Sequence, residues 1–108
     1  MSSSKVFFIQ KTKFDLTNAE KYGEVCYVLD HDVSPFNPSE AVLEIGKQLK
    51  LKKFNPEVDY IGFTGQSILL AYMFALCFAG YGEVRVLLYD ARTGEYRDRV
   101  VPNPYSVL

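Results

Sequence analysis

Residues 59–96 constrain the fold most, because two strand-like stretches flank an almost wholly apolar helix. Residues 60–64 are rich in strand formers, and Gly65 allows a tight turn into the helix predicted for residues 67–80. A further strand is predicted over residues 83–89. A strand, a helix and a strand in this order predict a βαβ unit with parallel strands and a buried helix.

The first half of the chain shows the same alternation. Strands are predicted over residues 5–11 and 24–29, and the second of these is apolar enough to be buried on both faces. Between them, Thr17 and Glu20 match a capping box, which predicts one or two helical turns before Gly23.

A long amphipathic helix is predicted to begin after Asn37, with Asn37 as its N-cap and Pro38 at its first position. Its apolar residues recur at helical spacing: Ala41, Val42, Ile45 and Leu49. At the other end of the chain, residues 90–94 predict a hairpin loop with Gly94 at positive φ, and residues 95–101 an antiparallel edge strand.

These elements predict one α/β domain over residues 1–108: a small, mainly parallel sheet of about five strands, the last antiparallel, with two main helices. It resembles half of a doubly wound, Rossmann-like nucleotide-binding fold. Residues 1–4 and 102–108 are expected to be flexible or draped tails, since two prolines interrupt the second segment.

Composition argues against several classes of function. Twelve basic and thirteen acidic side chains give a formal charge of -1, which does not support nucleic-acid binding. The apolar run 68–79 is too short to cross a membrane. Cys26 and Cys77 both lie in apolar runs, as free thiols do, and MSSSKVFF lacks the apolar stretch of a signal peptide. We therefore expect a cytoplasmic protein.

Ligands of open parallel sheets bind beyond the carboxyl ends of the strands. The strand-to-helix turn of residues 64–67 could receive a nucleotide or phosphate there. The simpler alternative is that Gly65 only makes the tight turn and Ser67 only caps the helix. Neither a phosphate loop nor a dinucleotide fingerprint is present. The candidate ligand-binding residues at this edge are Asp30, Thr64, Gly65, Gln66, Ser67 and Asp90.

Asp30, His31 and Asp32 could bind a divalent metal or transfer protons, but three adjacent residues rarely complete a coordination shell. A polar loop after the strand is the simpler interpretation. Neither cysteine has an evident base, so no catalytic residue, metal site or cofactor is predicted, and an enzyme is not favoured.

The helix that follows Gly65 is apolar on more than one side, so its outer side needs a cover. The first helix, the tail or another subunit could supply it. We expect a homodimer, or a complex with another protein, with this helix or the edge strand at the interface. The candidate interface residues are Leu70, Phe74, Cys77 and Phe78.

Three segments, KTKFDLTNAEKYGEV, DYIGFTG and VRVLLYDARTGEY, together resemble short uncharacterised proteins of tailed bacteriophages. This resemblance implies a small phage accessory factor of undefined role in the host cell cytoplasm, which could act on host machinery and whose partner could be a host or phage protein. A fainter similarity is to the Rossmann-like nucleotide-sensing domains associated with CRISPR systems. Thr64 and Gly65 fit their turn, but Gln66 replaces a second glycine and no lysine follows, which argues against cyclic oligonucleotide binding.

Two hypotheses follow: a non-enzymatic interaction protein, or a small-ligand binding domain that uses residues 64–67. A structural part of the virion remains a third possibility that the sequence does not separate from these.

Overall fold

The computed structural model describes residues 4–13, 15–63 and 68–107. The predicted strands and helices are present, and their ends differ from the predicted ones by at most three residues. The strands are β1 (Lys5–Gln10), β2 (Glu24–Leu29), β3 (Tyr60–Phe63), β4 (Glu83–Asp90) and β5 (Glu95–Pro102), the α-helices are α1 (Pro38–Leu51) and α2 (Ile68–Cys77), and 3-10 helices occupy Thr17–Tyr22 and Pro104–Val107.

The five strands form one sheet in the order β2-β1-β3-β4-β5. The first four strands are parallel and β5 is antiparallel to β4, which confirms the predicted α/β fold class. Gly94 closes the β4–β5 hairpin at φ +72° and donates its N–H to the carbonyl of Asp90 at 2.8 Å. Its predicted positive φ is therefore confirmed.

The two faces of the sheet have different covers. Phe7 and Ile9 of β1 pack in one core with α1 and α2, whereas Val6 and Phe8 pack in a second core with the 3-10 helix Thr17–Tyr22. The handedness of parallel connections explains this division, because a right-handed crossover places its helix on a face that depends on the direction of travel across the sheet. The connection from β1 to β2 and the connection from β2 to β3 run in opposite directions, so their helices cover opposite faces.

Helix α1 begins where the sequence predicts, with Pro38 in its first turn and the Asn37 carbonyl accepting the Ala41 N–H at 3.0 Å. The Asn37 side chain makes no capping hydrogen bond. Ala41, Ile45 and Leu49 are buried, as their helical spacing predicts.

Helix α2 lies against both the sheet and α1. A Cβ placed on Gly46 of α1 would lie 4.0 Å from Cδ1 of Leu76, so the two helices approach closely at this glycine. Phe74 contacts the rings of Phe63 and Phe78, with centroids 5.3 and 4.9 Å apart. The first helix thus covers much of the second apolar side of α2. No helix in the described ranges combines the length and apolarity that a membrane span requires.

Two local predictions are wrong. Thr17 does not cap the first 3-10 helix: Leu16 is at the N-cap position and makes no side-chain capping bond, while Asp15 accepts the Thr17 N–H at 2.9 Å and the Thr17 hydroxyl at 2.5 Å. Strand β2 is not buried on both faces, because the strand order places it at an edge of the sheet, where residues 25–27 are only half-buried.

The segment after β5 is tied to the domain by Asn103. Its N–H donates to the Gly82 carbonyl at 2.9 Å, and its side-chain amide donates to the Tyr81 carbonyl at 2.9 Å. The segment continues as a short 3-10 helix, Pro104–Val107, beside the start of β4.

Candidate functional site

The two candidate aspartates at the carboxyl edge are both occupied by cations of the chain itself. Asp30 follows β2, and each of its carboxylate oxygens accepts a hydrogen bond from the Lys52 ammonium at 3.1 Å. Asp90, at the end of β4, accepts Nε of Arg97 at 2.9 Å and the backbone N–H of Arg92 at 3.0 Å. These bonds hold the pKa of Asp90 below its usual value, with the Arg97 bond as the larger cause and the Arg92 N–H as the next.

The strand order also separates these aspartates. Three strand spacings lie between β2 and β4, about 14 Å across the sheet. Thr64, Gly65, Gln66 and Ser67 lie outside the described residues, so the structure does not place them relative to Asp30 or Asp90.

The order β2-β1-β3-β4-β5 reverses its direction between β1 and β3, and this switch point is where doubly wound sheets bind ligands. Lys11 and Lys13 follow β1 at that point and both are exposed. Their place at the switch point was not predicted, because the position of β1 between β2 and β3 is a long-range property that no local pattern reveals.

His31 and Asp32 lie instead at an open groove of about 400 Å³ between the loop after β2 and the first turns of α1. Nε2 of His31 is 3.9 Å from Oε1 of Glu44. In the described part of the chain, no three His, Cys, Asp or Glu side chains are placed to hold a metal ion together. The groove is lined by His31, Asp32, Val33, Ser34, Glu40, Leu43, Glu44 and Lys47.

Phe36 stands beside this groove and is 93% exposed, the highest value among the exposed large hydrophobic residues of the described chain. Its position is fixed by a turn, because the Ser34 hydroxyl accepts the Phe36 N–H at 3.1 Å and the Ser34 carbonyl accepts the Asn37 N–H at 3.3 Å. Leu43, on the wall of the groove, is 74% exposed. We call Val33, Phe36 and Leu43, together with the groove, the Phe36 surface.

Sequence reasoning missed this surface, although two signals for it exist. Phe36 is an aromatic residue held between Pro35 and Pro38, in a segment with no apolar periodicity. Leu43 lies off the stripe of α1 that packs on the sheet, so it is a large apolar side chain on a polar face.

The predicted interface residues of α2 are found in the interior of the single chain. Leu70, Cys77 and Phe78 are 6%, 2% and 4% exposed, and Phe74 is half-buried between two aromatic rings. Burial raises the pKa of the Cys77 thiol to about 12. The exposed residues of α2 are Ile68, Ala71 and Ala75.

Side chains also bind carbonyl groups of both edge strands. On β5, the Tyr96 carbonyl accepts the Tyr22 hydroxyl at 3.0 Å, and the Asp98 carbonyl accepts the Arg99 guanidinium at 2.6 Å. On β2, the Lys52 ammonium donates to the carbonyls of Tyr27 and Val28 at 2.5 and 3.2 Å. These bonds leave fewer free carbonyls for the addition of a further strand.

Comparison with known proteins gives one assignment. No curated protein matches the chain. No solved structure matches it either. Residues 4–103 match the model of a bacteriophage family, in agreement with the resemblance to phage proteins inferred from the sequence. Because this match covers nearly the whole chain, the protein belongs to the family of the Phage Pam3 gp32-like protein.

Proposed function

We propose that this phage-encoded protein is a non-enzymatic accessory factor that binds a protein partner of the host or the phage through the Phe36 surface. The observation that supports the proposal most directly is the exposure of Phe36, 93%, on a turn held by hydrogen bonds. Exposing an aromatic ring to water is unfavourable, and burial of such a ring against a partner is a common source of binding energy.

The surroundings of Phe36 support an interaction surface more than an isolated exposed residue. Leu43 and the partly buried Val33 line the adjoining groove, so that a partner could cover three apolar side chains at once. Ser34 belongs both to the groove and to the turn that includes Phe36, so the backbone of Phe36 is held near the groove before a partner binds. Such pre-ordering lowers the entropic cost of binding.

Other surfaces of the domain support this role less well. The α2 residues predicted to form an interface are packed against the sheet and α1, and a partner would have to open that core to contact them. Side chains already bind carbonyls of both sheet edges, which disfavours a homodimer built by strand pairing.

The test is affinity capture from lysates of phage-infected host cells, with the wild-type protein and the variants Phe36→Ser and Tyr105→Ser as baits. Tyr105 is a suitable control because it is an aromatic residue, 75% exposed, in the C-terminal 3-10 helix, away from the groove. We expect a partner that wild type and Tyr105→Ser retain equally and that Phe36→Ser retains at least about 10-fold less, as for an aromatic anchor. Captured proteins that are the same for all three baits would contradict the proposal.

A homodimer would use the same surface if the partner were a second copy. Light scattering of the wild type and Phe36→Ser distinguishes this case, because only the wild type would then show twice the monomer mass.

A second candidate function, binding of a nucleotide or phosphate, is favoured by the strand order. Lys11 and Lys13 follow β1 at the switch point between β1 and β3, and residues 64–67 follow β3 in the sequence. A ligand present at a hundredfold excess over its Kd would add about 2.7 kcal/mol to the free energy of unfolding.

Thermal unfolding with nucleoside mono-, di- and triphosphates and inorganic phosphate tests this second candidate. A stabilisation that Lys11→Ala and Lys13→Ala reduce, and that the exposed α1 control Lys50→Ala retains, would support it. No stabilisation by any of these anions would exclude it.

A further inference from the structure

We infer that the partner of the Phe36 surface is cationic: a protein segment in which Lys or Arg side chains accompany the apolar side chains that cover Phe36 and Leu43. This inference rests on the proposed function and specifies the chemistry of the partner.

The charge of the groove carries the inference. Three carboxylates and one ammonium line it, so that it is negative although the chain as a whole is nearly neutral. The carboxylates are those of Asp32, Glu40 and Glu44, and the ammonium is that of Lys47.

Within the described ranges, the carboxylates of Asp32 and Glu40 make no hydrogen bond or ion pair, and both residues are exposed. Glu44 differs, because its Oε1 accepts the Gln48 amide at 2.9 Å and lies 3.9 Å from Nε2 of His31. Asp30, directly before the groove, is already neutralised by Lys52. Asp32 and Glu40 therefore have acceptor capacity left for a partner.

The carboxylates adjoin apolar side chains. Val33 directly follows Asp32, and Leu43 comes three residues after Glu40, one turn along the same side of α1. A Lys or Arg side chain suits this arrangement, because its methylene stem can cover apolar surface while its charged end reaches a carboxylate. An acidic partner would bring its carboxylates against Asp32 and Glu40, and such like-charge contacts oppose binding.

The experiment is selection from an unbiased library of displayed 12-residue peptides on the immobilised full-length protein, with Phe36→Ser as the counter-selection bait. The inference predicts that the Phe36-dependent peptides contain more Lys and Arg than the unselected library, next to aliphatic or aromatic residues. Their binding should weaken as the salt concentration rises, since exposed charge pairs are screened.

Charge variants of the protein then test whether the selected peptides bind through positive charge. Asp32→Asn and Glu40→Gln should each raise Kd by about two- to fivefold, the range of exposed ion pairs. Lys47→Gln should lower Kd or leave it unchanged, because it removes a charge of the same sign as the partner. Lys50→Gln, an exposed position of α1 outside the groove lining, is the matched control.

The outcomes separate the two proposals. Phe36-dependent peptides that lack an excess of Lys and Arg, or that bind more tightly to Asp32→Asn and Glu40→Gln, would overturn the cationic partner and leave the Phe36 surface standing. If no peptide depends on Phe36, the proposed function and the present inference both fail.

Discussion

The Tyr22 hydroxyl donates a 3.0 Å hydrogen bond to the backbone carbonyl of Tyr96 in the edge strand β5. The ring of Tyr22 also contacts Tyr60 of β3, with centroids 5.6 Å apart. Four residues earlier, the Asn18 amide donates to the Gly94 carbonyl at 2.5 Å. The 3-10 helix Thr17–Tyr22 is thereby fastened to β5, although the two segments are more than seventy residues apart in sequence.

Tyr22→Phe tests the energetic value of this contact. The substitution keeps the ring and removes only the hydroxyl, leaving the Tyr96 carbonyl without this donor. We expect the free energy of unfolding to fall by about 1 kcal/mol, measured by urea denaturation. Tyr105→Phe is the control, because its ring is 75% exposed and no hydroxyl bond of Tyr105 is seen in the described chain; a loss as large for Tyr105→Phe would refute the explanation.

Gly62→Ala should destabilise the fold through steric overlap. A Cβ on Gly62 would overlap the ring of Phe8, which is fully buried and lies edge-on to Tyr96 at 6.3 Å between centroids. Overpacking of this kind costs about 1–3 kcal/mol, which urea denaturation would detect.

Gly82→Ala is the matched control for Gly62→Ala, since a Cβ on Gly82 would have no heavy atom within 4 Å and its φ is not positive. Equal midpoints for the two variants would show that Phe8 does not restrict position 62.

Asp90→Asn should change how stability depends on pH. The Arg97 side chain first, and then the Arg92 N–H, lower the pKa of Asp90 below its usual 3.8. A lowered folded-state pKa adds stability above the unfolded-state pKa, and this stability is lost as the pH falls through the folded-state pKa. Asp90→Asn should therefore unfold at a lower urea concentration than the wild type at neutral pH, and the difference should shrink as the pH falls below about 3.8.

The control for this prediction is Asp98→Asn, which changes the net charge equally on the neighbouring strand. A wild-type to Asp90→Asn difference that stays constant from neutral pH down to acid unfolding would contradict the assigned role of the Arg97 ion pair.

Local patterns were sufficient to predict most of the elements. Asn37 and Pro38 mark the start of α1 because capping and proline geometry act within one turn, and Ala41, Ile45 and Leu49 identify its buried face through helical spacing. The antiparallel direction of β5 followed from a four- to five-residue turn with Gly94 at positive φ.

The arrangement of these elements could not be predicted in the same way. Strand β2 was expected to be buried on both faces because its sequence is continuously apolar, yet β1 and β3 occupy interior positions and β2 lies at an edge. The buried carboxylate of Asp59 accepts the backbone N–H of Lys5 at 2.9 Å and that of Asn55 at 2.8 Å. The contact with Lys5 spans 54 residues, and no local pattern signals it.

The surroundings of the candidate site residues could not be predicted for the same reason. Asp30 seemed available because its strand ends there, but Lys52, which follows α1, reaches back to neutralise it. The Phe36 surface depends on a groove between a loop and a helix, and neither segment alone indicates that its apolar side chains remain exposed.

The Cys77 thiol should be unreactive in the folded protein. It is 2% exposed, and burial raises its pKa to about 12, so at pH 8 it is both covered and protonated, whereas a thiol reagent requires exposed thiolate. In a Cys26→Ser variant, where Cys77 is the remaining cysteine, we expect labelling by a disulfide reagent to be at least about 100-fold slower in buffer than in urea.

The same burial predicts a loss of stability in alkaline solution. Because the folded-state pKa lies above the unfolded-state value of 9.0, the unfolded chain loses this proton first, and stability falls as the pH rises above 9.0. Cys77→Ala should remove that part of the pH dependence while lowering stability at neutral pH through a small cavity. Rapid labelling of Cys77 in buffer, or an unchanged alkaline slope in Cys77→Ala, would show that α2 does not hold this thiol in the core.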